Sequence, residues 1–323
     1  MTWLAVCAAV LLTLPARAQF TSQLEEKSLP VGEFSSVSVT DGFDVALVKG
    51  TYGVKVTADK DLSPYVQVYV RAKTLYITYD EKSVPKEVKK QYKGRGAPTP
   101  VFRAVVTLPE LNGLSLEETA VLSSTDEFSG SNVSINLAGK SQIKALNLKA
   151  QSITVSLKKN TQADLTLRAD NRLEINTEDN AKAKVSVKAQ ELAINASDQS
   201  EVGIVGESES CSLYLVERAV ANVSQKADKA SLQVSGSSTL TLSGNGSSLA
   251  LKADKSASVE ASGFPVKKVE ASMQGNSKAN VAVSELIDAT LVGGSALYYT
   301  GTPSFKIGKV IKSTLAPYGA TAK

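Results

Sequence analysis

A chain without a single histidine has few ways to move a proton near neutral pH. A Ser-His-Asp triad, a Cys-His pair and a His-bearing zinc site are all excluded. Carboxylates and lysines remain as acids and bases. Acids fall close together in three places: Asp41 and Asp44 flank a Gly-Phe turn, Glu117 and Glu118 are adjacent, and Asp59 and Asp61 surround Lys60. Carboxylates that cleave a glycosidic bond must face each other at a defined separation across the sugar. None of these acids recurs at one offset in successive repeats of the chain, so solvated turns account for them. The Asp-rich nonapeptide that binds calcium in some repeat proteins is absent. The residues therefore point to no catalytic, cofactor-binding or metal-ligating set.

One segment carries a concentrated charge. From Glu81 to Pro100 the alternating pattern breaks, and Lys82, Lys86, Lys89, Lys90, Lys93 and Arg95 face only Glu81 and Glu87, with Tyr92 among them. Such a segment can contact anionic glycans or lipid headgroups; the plainer reading is a solvated loop. No helix shows both a start and a stop signal.

The elements that position these residues form a repeat. Short alternating strands begin at Leu114, Val133, Ile153, Leu173, Leu192, Leu213, Leu232, Leu249, Val269 and Ile287, in steps of 17 to 21 residues with a mean near 19. Period-two alternation marks strands with one buried face. A 19-residue unit is too short for a pair of helices or a propeller blade, and suits one coil of a β-helix. The fold class expected is all-β, a parallel β-helix (solenoid) with coils of about 19 residues. Corners such as Ala-Gly-Lys-Ser (138–141), Lys-Asn-Thr (159–161) and Glu-Asp-Asn-Ala (178–181) suit tight bends. A polar residue follows each strand start at a fixed offset: Asn136, Ser156, Asn176, Asn195, Ser235, Ser272 and Thr290, interrupted by Val216 and Lys252. This row reads as a structural ladder. Residues 34–112 alternate less regularly, as the start of the solenoid or a capping lobe. Ile153, Val155, Leu157, Leu173, Ile175, Leu192, Ile194, Leu232 and Val234 are expected in the core.

Leu4 to Leu14 form an apolar run, Pro15 breaks it, and Ala16-Arg17-Ala18 offers a cleavage site before Gln19. Residues 1–18 read as a signal peptide, and the run is too short to span a bilayer. Its removal takes Trp3 and Cys7, leaving Cys211 with no disulfide partner, as a small core residue. The organisation expected is a signal peptide (1–18), an N-terminal lead (19–33), a β-helix domain (34–316, with 34–112 irregular and 113–316 regular) and a tail (317–323).

Several stretches resemble the auto-transporter adhesin, head GIN domain family of bacterial exported proteins. They are Phe34-Ser-Ser-Val37-Ser-Val39, Gly42-Phe43-Asp44-Val45, Val54-Lys-Val56-Thr-Ala-Asp59, Leu75-Tyr-Ile77, Val105-Val-Thr-Leu-Pro109, Leu111-Asn-Gly-Leu114 and the closing Ala289 to Pro303. The resemblance covers roughly 34–316 and implies a β-helix and adhesion; it carries no catalytic residues across. The function expected is a non-catalytic exported β-helix protein, an adhesin or envelope-associated binding protein in the periplasm or on the surface of a Gram-negative bacterium. Its partners would be envelope or host glycans or another surface protein, with no nucleic acid, no cofactor and no transmembrane segment in the mature chain. The alternative is a carbohydrate-active enzyme of lyase or hydrolase type, which a groove lined by Asp, Arg and Lys from successive coils would favour. Mass spectrometry of the exported protein should place the mature N-terminus within a residue or two of Gln19; a retained 1–18 segment or a lipid on Cys7 would refute this.

Overall fold

A computed structural model describes residues 23–319, so the expected signal peptide lies outside the described residues. Alternation gives each strand one apolar face, and the surface available to cover it is the neighbouring coil. The chain accordingly winds into a parallel β-solenoid of about 11 turns, about 19 residues apart, with 68% of the chain in strands. No described helix is long and apolar enough to cross a membrane.

The first part contributes β1 (Leu24–Leu29), β2 (Ser36–Val39), β3 (Asp44–Lys49), β4 (Gly53–Asp59), β5 (Val66–Arg71), β6 (Thr74–Tyr79), the short helix α1 (Lys86–Gln91), β7 (Phe102–Leu108), β8 (Gly113–Leu116), β9 (Val121–Ser129) and β10 (Asn132–Leu137). Long strands follow, each bent in the middle so that it serves two sides of a coil: β11 (Gln142–Leu157), β12 (Gln162–Thr177), β13 (Lys182–Ala196), β14 (Glu201–Leu215), β15 (Val220–Val234), β16 (Thr239–Ala253), β17 (Ser258–Met273) and β18 (Lys278–Val292). The chain closes with β19 (Ala296–Thr300), β20 (Ser304–Ile311) and β21 (Thr314–Pro317). Every long strand pairs in parallel with the next.

The pairing builds columns of inward side chains. One runs Val133, Ile153, Leu173, Leu192, Cys211, Ala230, Leu249, Val269, Ile287. Every core residue named from the sequence is buried, from Ile153 to Val234. The register of three coils differs from the sequence reading. Cys211 and Ala230, not Leu213 and Leu232, stand in the column of Leu192 and Leu249, and Leu114 faces Ile135 rather than Val133. With the two small residues in place the local step is a constant 19. A shift of two keeps the same face inward, so alternation alone does not detect it. The polar row moves with the register: Tyr214 and Gln233 stand in it, and Val216 and Ser235 do not. The row forms one amide rung, in which Asn195 Nδ2 donates to Asn176 Oδ1 at 2.8 Å.

Each long strand ends in a four-residue turn whose second residue is left-handed: Lys159 (φ 66°), Asp179 (60°), Asp198 (59°), Glu217 (65°) and Lys255 (55°), with glycine at the same place in other coils, as at Gly275 (68°). The left-handed conformation costs a non-glycine residue about 1 kcal/mol. The stacked turns offset it, because the N–H of the next residue donates to the left-handed carbonyl one coil back: Gln199 to Asp179 (2.8 Å) and Arg218 to Asp198 (2.9 Å). The fourth turn residue points inward where little room remains. Ser141, Thr161, Ala181, Ser200, Ala219, Ser238, Ala257 and Ser277 are small and buried.

The two ends differ. At the N-terminal end β4 lies antiparallel between β1 and β7, and β5 forms a hairpin with β6. Residues 34–112 thus supply both early coils and a cap, and β1 joins that cap from within the expected lead. The segment 81–100, read from the sequence as without helix, holds α1, which at six residues is too short to show periodicity. At the C-terminal end Phe305, Ile307 and Val310 continue the core columns of Ile287, Ala289 and Leu291, yet are 39–47% exposed because nothing described stacks on them.

Val155 sits at 0% exposure between Ile135 and Ile175. Val155→Asp should lower stability by about 3–5 kcal/mol in a urea titration followed by circular dichroism, because a charge would enter a packed column; an equally stable variant would refute the register. Burial pushes the Cys211 thiol well above its ordinary value, up to about 12. Above about pH 9 the unfolded chain releases a proton that the native chain keeps, so this group's contribution to stability falls from there upward and is constant below. A maleimide at about pH 8 should leave the native thiol intact and modify it on unfolding; rapid native labelling would contradict its place in the column.

Candidate functional site

Where the long strands bend, successive coils repeat a three-residue pattern. It reads Lys-Ala-Gln at 149–151, Arg-Ala-Asp at 168–170, Lys-Ala-Gln at 188–190, Glu-Ser-Glu at 207–209 and Lys-Ala-Asp at 226–228. Parallel pairing sets these in rows that rise about 4.8 Å per coil. Lys149 pairs with Arg168, Arg168 with Lys188, Lys188 with Glu207, and Glu207 with Lys226. One residue on, Ala150 pairs with Ala169, Ala189 with Ser208 and Ser208 with Ala227. Asp170, Gln190, Glu209 and Asp228 form the opposite rim. The result is a groove of about 750 Å³ running along the solenoid axis, with a row of cations interrupted by Glu207 on one side, Asp170, Gln190, Glu209 and Asp228 on the other, and small residues between them.

The bend requires the small floor. Ala169 and Ala227 face inward and are buried, where the corner leaves no space for a larger side chain. Coils also pass close here: a Cβ on Gly206 would lie 1.9 Å from the carbonyl oxygen of Val187. The side chain of Gln225, one coil on, is buried beside that glycine. In the orientation that gives both ends a partner, its amide nitrogen donates to the Gly206 carbonyl (3.3 Å), and its oxygen accepts from the Ser208 hydroxyl and N–H (both 2.9 Å). This contact ties the groove floor to the core.

The charges in the groove balance. Lys149, Arg168, Lys188 and Lys226 stand with Asp170, Glu207, Glu209 and Asp228. Two cations have partners, Lys188 with Glu207 at 2.7 Å and Arg168 with Glu127 at 3.4 Å. These pairs are exposed and contribute roughly 0–1 kcal/mol each, so a ligand can displace them. The hydrogen bond and charge of Lys188 hold the Glu207 carboxyl below its ordinary range. With mostly donors in one row, interrupted by Glu207, and acids or an amide on the other side, the groove suits an extended chain that hydrogen-bonds along both edges.

The sequence-named acids do not meet there. Asp41 occupies a left-handed turn and accepts from the Tyr79 N–H (3.1 Å) and the Thr40 hydroxyl (2.6 Å). Asp44 is exposed on β3, and Glu117 and Glu118 lie in an exposed turn. Asp59 is buried and accepts from the Val101 N–H at 2.8 Å, while Asp61 is exposed. Among the described residues no three His, Cys, Asp or Glu gather in a metal-holding group. Other acids line the corner groove, Asp170, Glu209 and Asp228, the last two in adjacent coils. The signal lay in the tripeptides at 19- to 20-residue steps, which attention to the apolar positions passes over.

A family model described as "Putative auto-transporter adhesin, head GIN domain" matches residues 33–171 and 163–303. The chain is similar to a crystal structure titled "putative adhesin" from Parabacteroides distasonis ATCC 8503, at 18% identity and a TM-score of 0.34, covering 92% of this chain and 98% of that one. A second structure from that organism, titled "Putative lipid binding protein", has 14% identity and a TM-score of 0.32 over 92% and 97% of the two chains. A "putative adhesin" from Parabacteroides merdae ATCC 43184 has 15% identity and a TM-score of 0.32, again over 92% and 97%. No curated protein matches. By the family match, which takes in nearly every coil, the chain belongs to the auto-transporter adhesin, head GIN domain family.

Proposed function

We propose that the protein is a non-catalytic, exported, adhesin-like component of a bacterial envelope that holds an extended polymer in the corner groove. The observation that carries this reading is the groove itself: a row of Lys149, Arg168, Lys188, Glu207 and Lys226 in register from β11 to β15, with Asp170, Gln190, Glu209 and Asp228 lining the same groove. A rigid stack presents such groups at a fixed spacing, so a ligand gains several contacts without first ordering the protein. A glycan or an extended peptide supplies hydrogen-bonding groups on both edges at comparable intervals. Membership of the family supports the adhesive role.

The second reading, a carbohydrate-active enzyme, draws on the same groove, because Arg168 and Asp170 of one coil line it with Lys188 of the next. Against it stands the absence of histidine. Catalysis asks for charges that converge on one reacting atom; these charges spread along a line.

A glycan array probed with the purified protein, with turnover assays alongside, separates the two readings. Binding without cleavage is expected. The combined variant Arg168→Ala, Lys188→Ala, Lys226→Ala should weaken binding roughly tenfold or more by removing charge-assisted hydrogen bonds, with an unchanged circular dichroism spectrum. Cleavage lost on changing Asp170 or Glu209 would establish the enzyme, and full binding by the triple variant would place the ligand elsewhere.

A further inference from the structure

The segment between β6 and β7 is built, not slack. Val84 is buried, and Val88 and Tyr92 pack partly buried against the core, at a spacing of four residues across α1. Burial first, then the carboxylates of Asp59 and Asp61, push the Tyr92 hydroxyl up to about 12. With the apolar residues of the segment turned inward, its cations turn outward. Lys82, Lys86, Lys90, Lys93 and Arg95 are exposed and Lys89 is partly so, against the acids Asp80, Glu81 and Glu87 between β6 and β7. Along the lateral faces cations meet acids, as in Lys182 with Glu201 (2.9 Å) and Lys158 with Glu178 (3.1 Å). None of the ion pairs found among the described residues includes a residue of this segment.

We infer that this basic arm docks the N-terminal end of the solenoid on the anionic headgroups of a lipid bilayer. Five of the six cations are lysines, compact charges that respond to charge density rather than to the fork geometry an arginine reads. A cluster of four to eight such residues is the footprint of a phosphate-rich surface. The apolar side chains of the segment are already engaged by the core, so no hydrophobic face remains to insert, and the attachment is electrostatic and peripheral. The arm sits at the capped end while the groove begins at β11, so a protein held there keeps the groove open. Docking is independent of the groove reading.

Co-sedimentation of the purified protein with phosphatidylcholine vesicles, with and without phosphatidylglycerol, tests this. The protein should pellet only with the anionic vesicles and be released near 0.5 M salt, where the screening length falls to roughly 4 Å. The variant Lys86→Glu, Lys89→Glu, Lys90→Glu, Lys93→Glu should lose roughly tenfold or more of this binding. The matching set of Lys→Gln changes keeps helix-forming residues in α1 and should lose binding in part. The groove triple variant should pellet as the parent does. Equal binding to both vesicles, no binding to either, unchanged binding by both arm variants, or capture by a soluble anionic polysaccharide without capture by anionic vesicles would each overturn the inference.

Discussion

Each coil has to return to the same point after 19 or 20 residues, so that its N–H groups meet the carbonyls of the coil before it. The rest of the molecule depends on this closure. It fixes which residues share a column, and so which columns can be apolar. It demands a left-handed residue at the same place in turn after turn, and the turns tolerate Lys159, Asp179 and Glu217 there because their stacked backbones hydrogen-bond to one another. It also makes the fourth turn position small, since its side chain points into the tightest part of the interior.

The groove follows from the same constraint. The corner places small residues, Ala169, Ala227 and Ser208, between the outward residues, and it displays the residues Lys149 to Lys226 in a row. Chemistry at such a corner is one-dimensional, because every coil adds one contact of nearly the same kind at the same interval. That arrangement serves recognition of a chain better than attack on a single bond, since a reacting centre needs groups converging from different directions. The exchange of Glu207 for a cation in the row breaks the uniformity, and Lys188 answers it with a short ion pair.

The ends show what the stack does when periodicity stops. At the N-terminal end the chain doubles back, placing β4 antiparallel between β1 and β7, and α1 covers apolar surface with Val88 and Tyr92. At the other end the columns run out into solvent at Phe305 and Ile307, and the outward lysines of that strand, Lys306 and Lys309, bring charge to an edge that would otherwise template further pairing. Lys306 is held by Asp288 at 2.6 Å.

Much of this was legible in the residues. Alternation identified Val155 and Leu173 as inward, the 19-residue step named the solenoid, and the absence of histidine narrowed the chemistry, because each is a local property of the chain. Register was not legible where Cys211 and Ala230 replace larger apolar residues, since a slip of two preserves the inward face and changes only which coil neighbour a side chain meets. The corner groove was missed for a related reason: Arg168, Lys188, Asp170 and Glu209 become a site only when coils 19 or 20 residues apart lie side by side. The sequence alone determined the period and the inward face, because both are written in the spacing of apolar residues. The tertiary structure alone decided which polar residues stand together, because outward side chains meet no packing requirement and are aligned only by the hydrogen-bond ladder between coils.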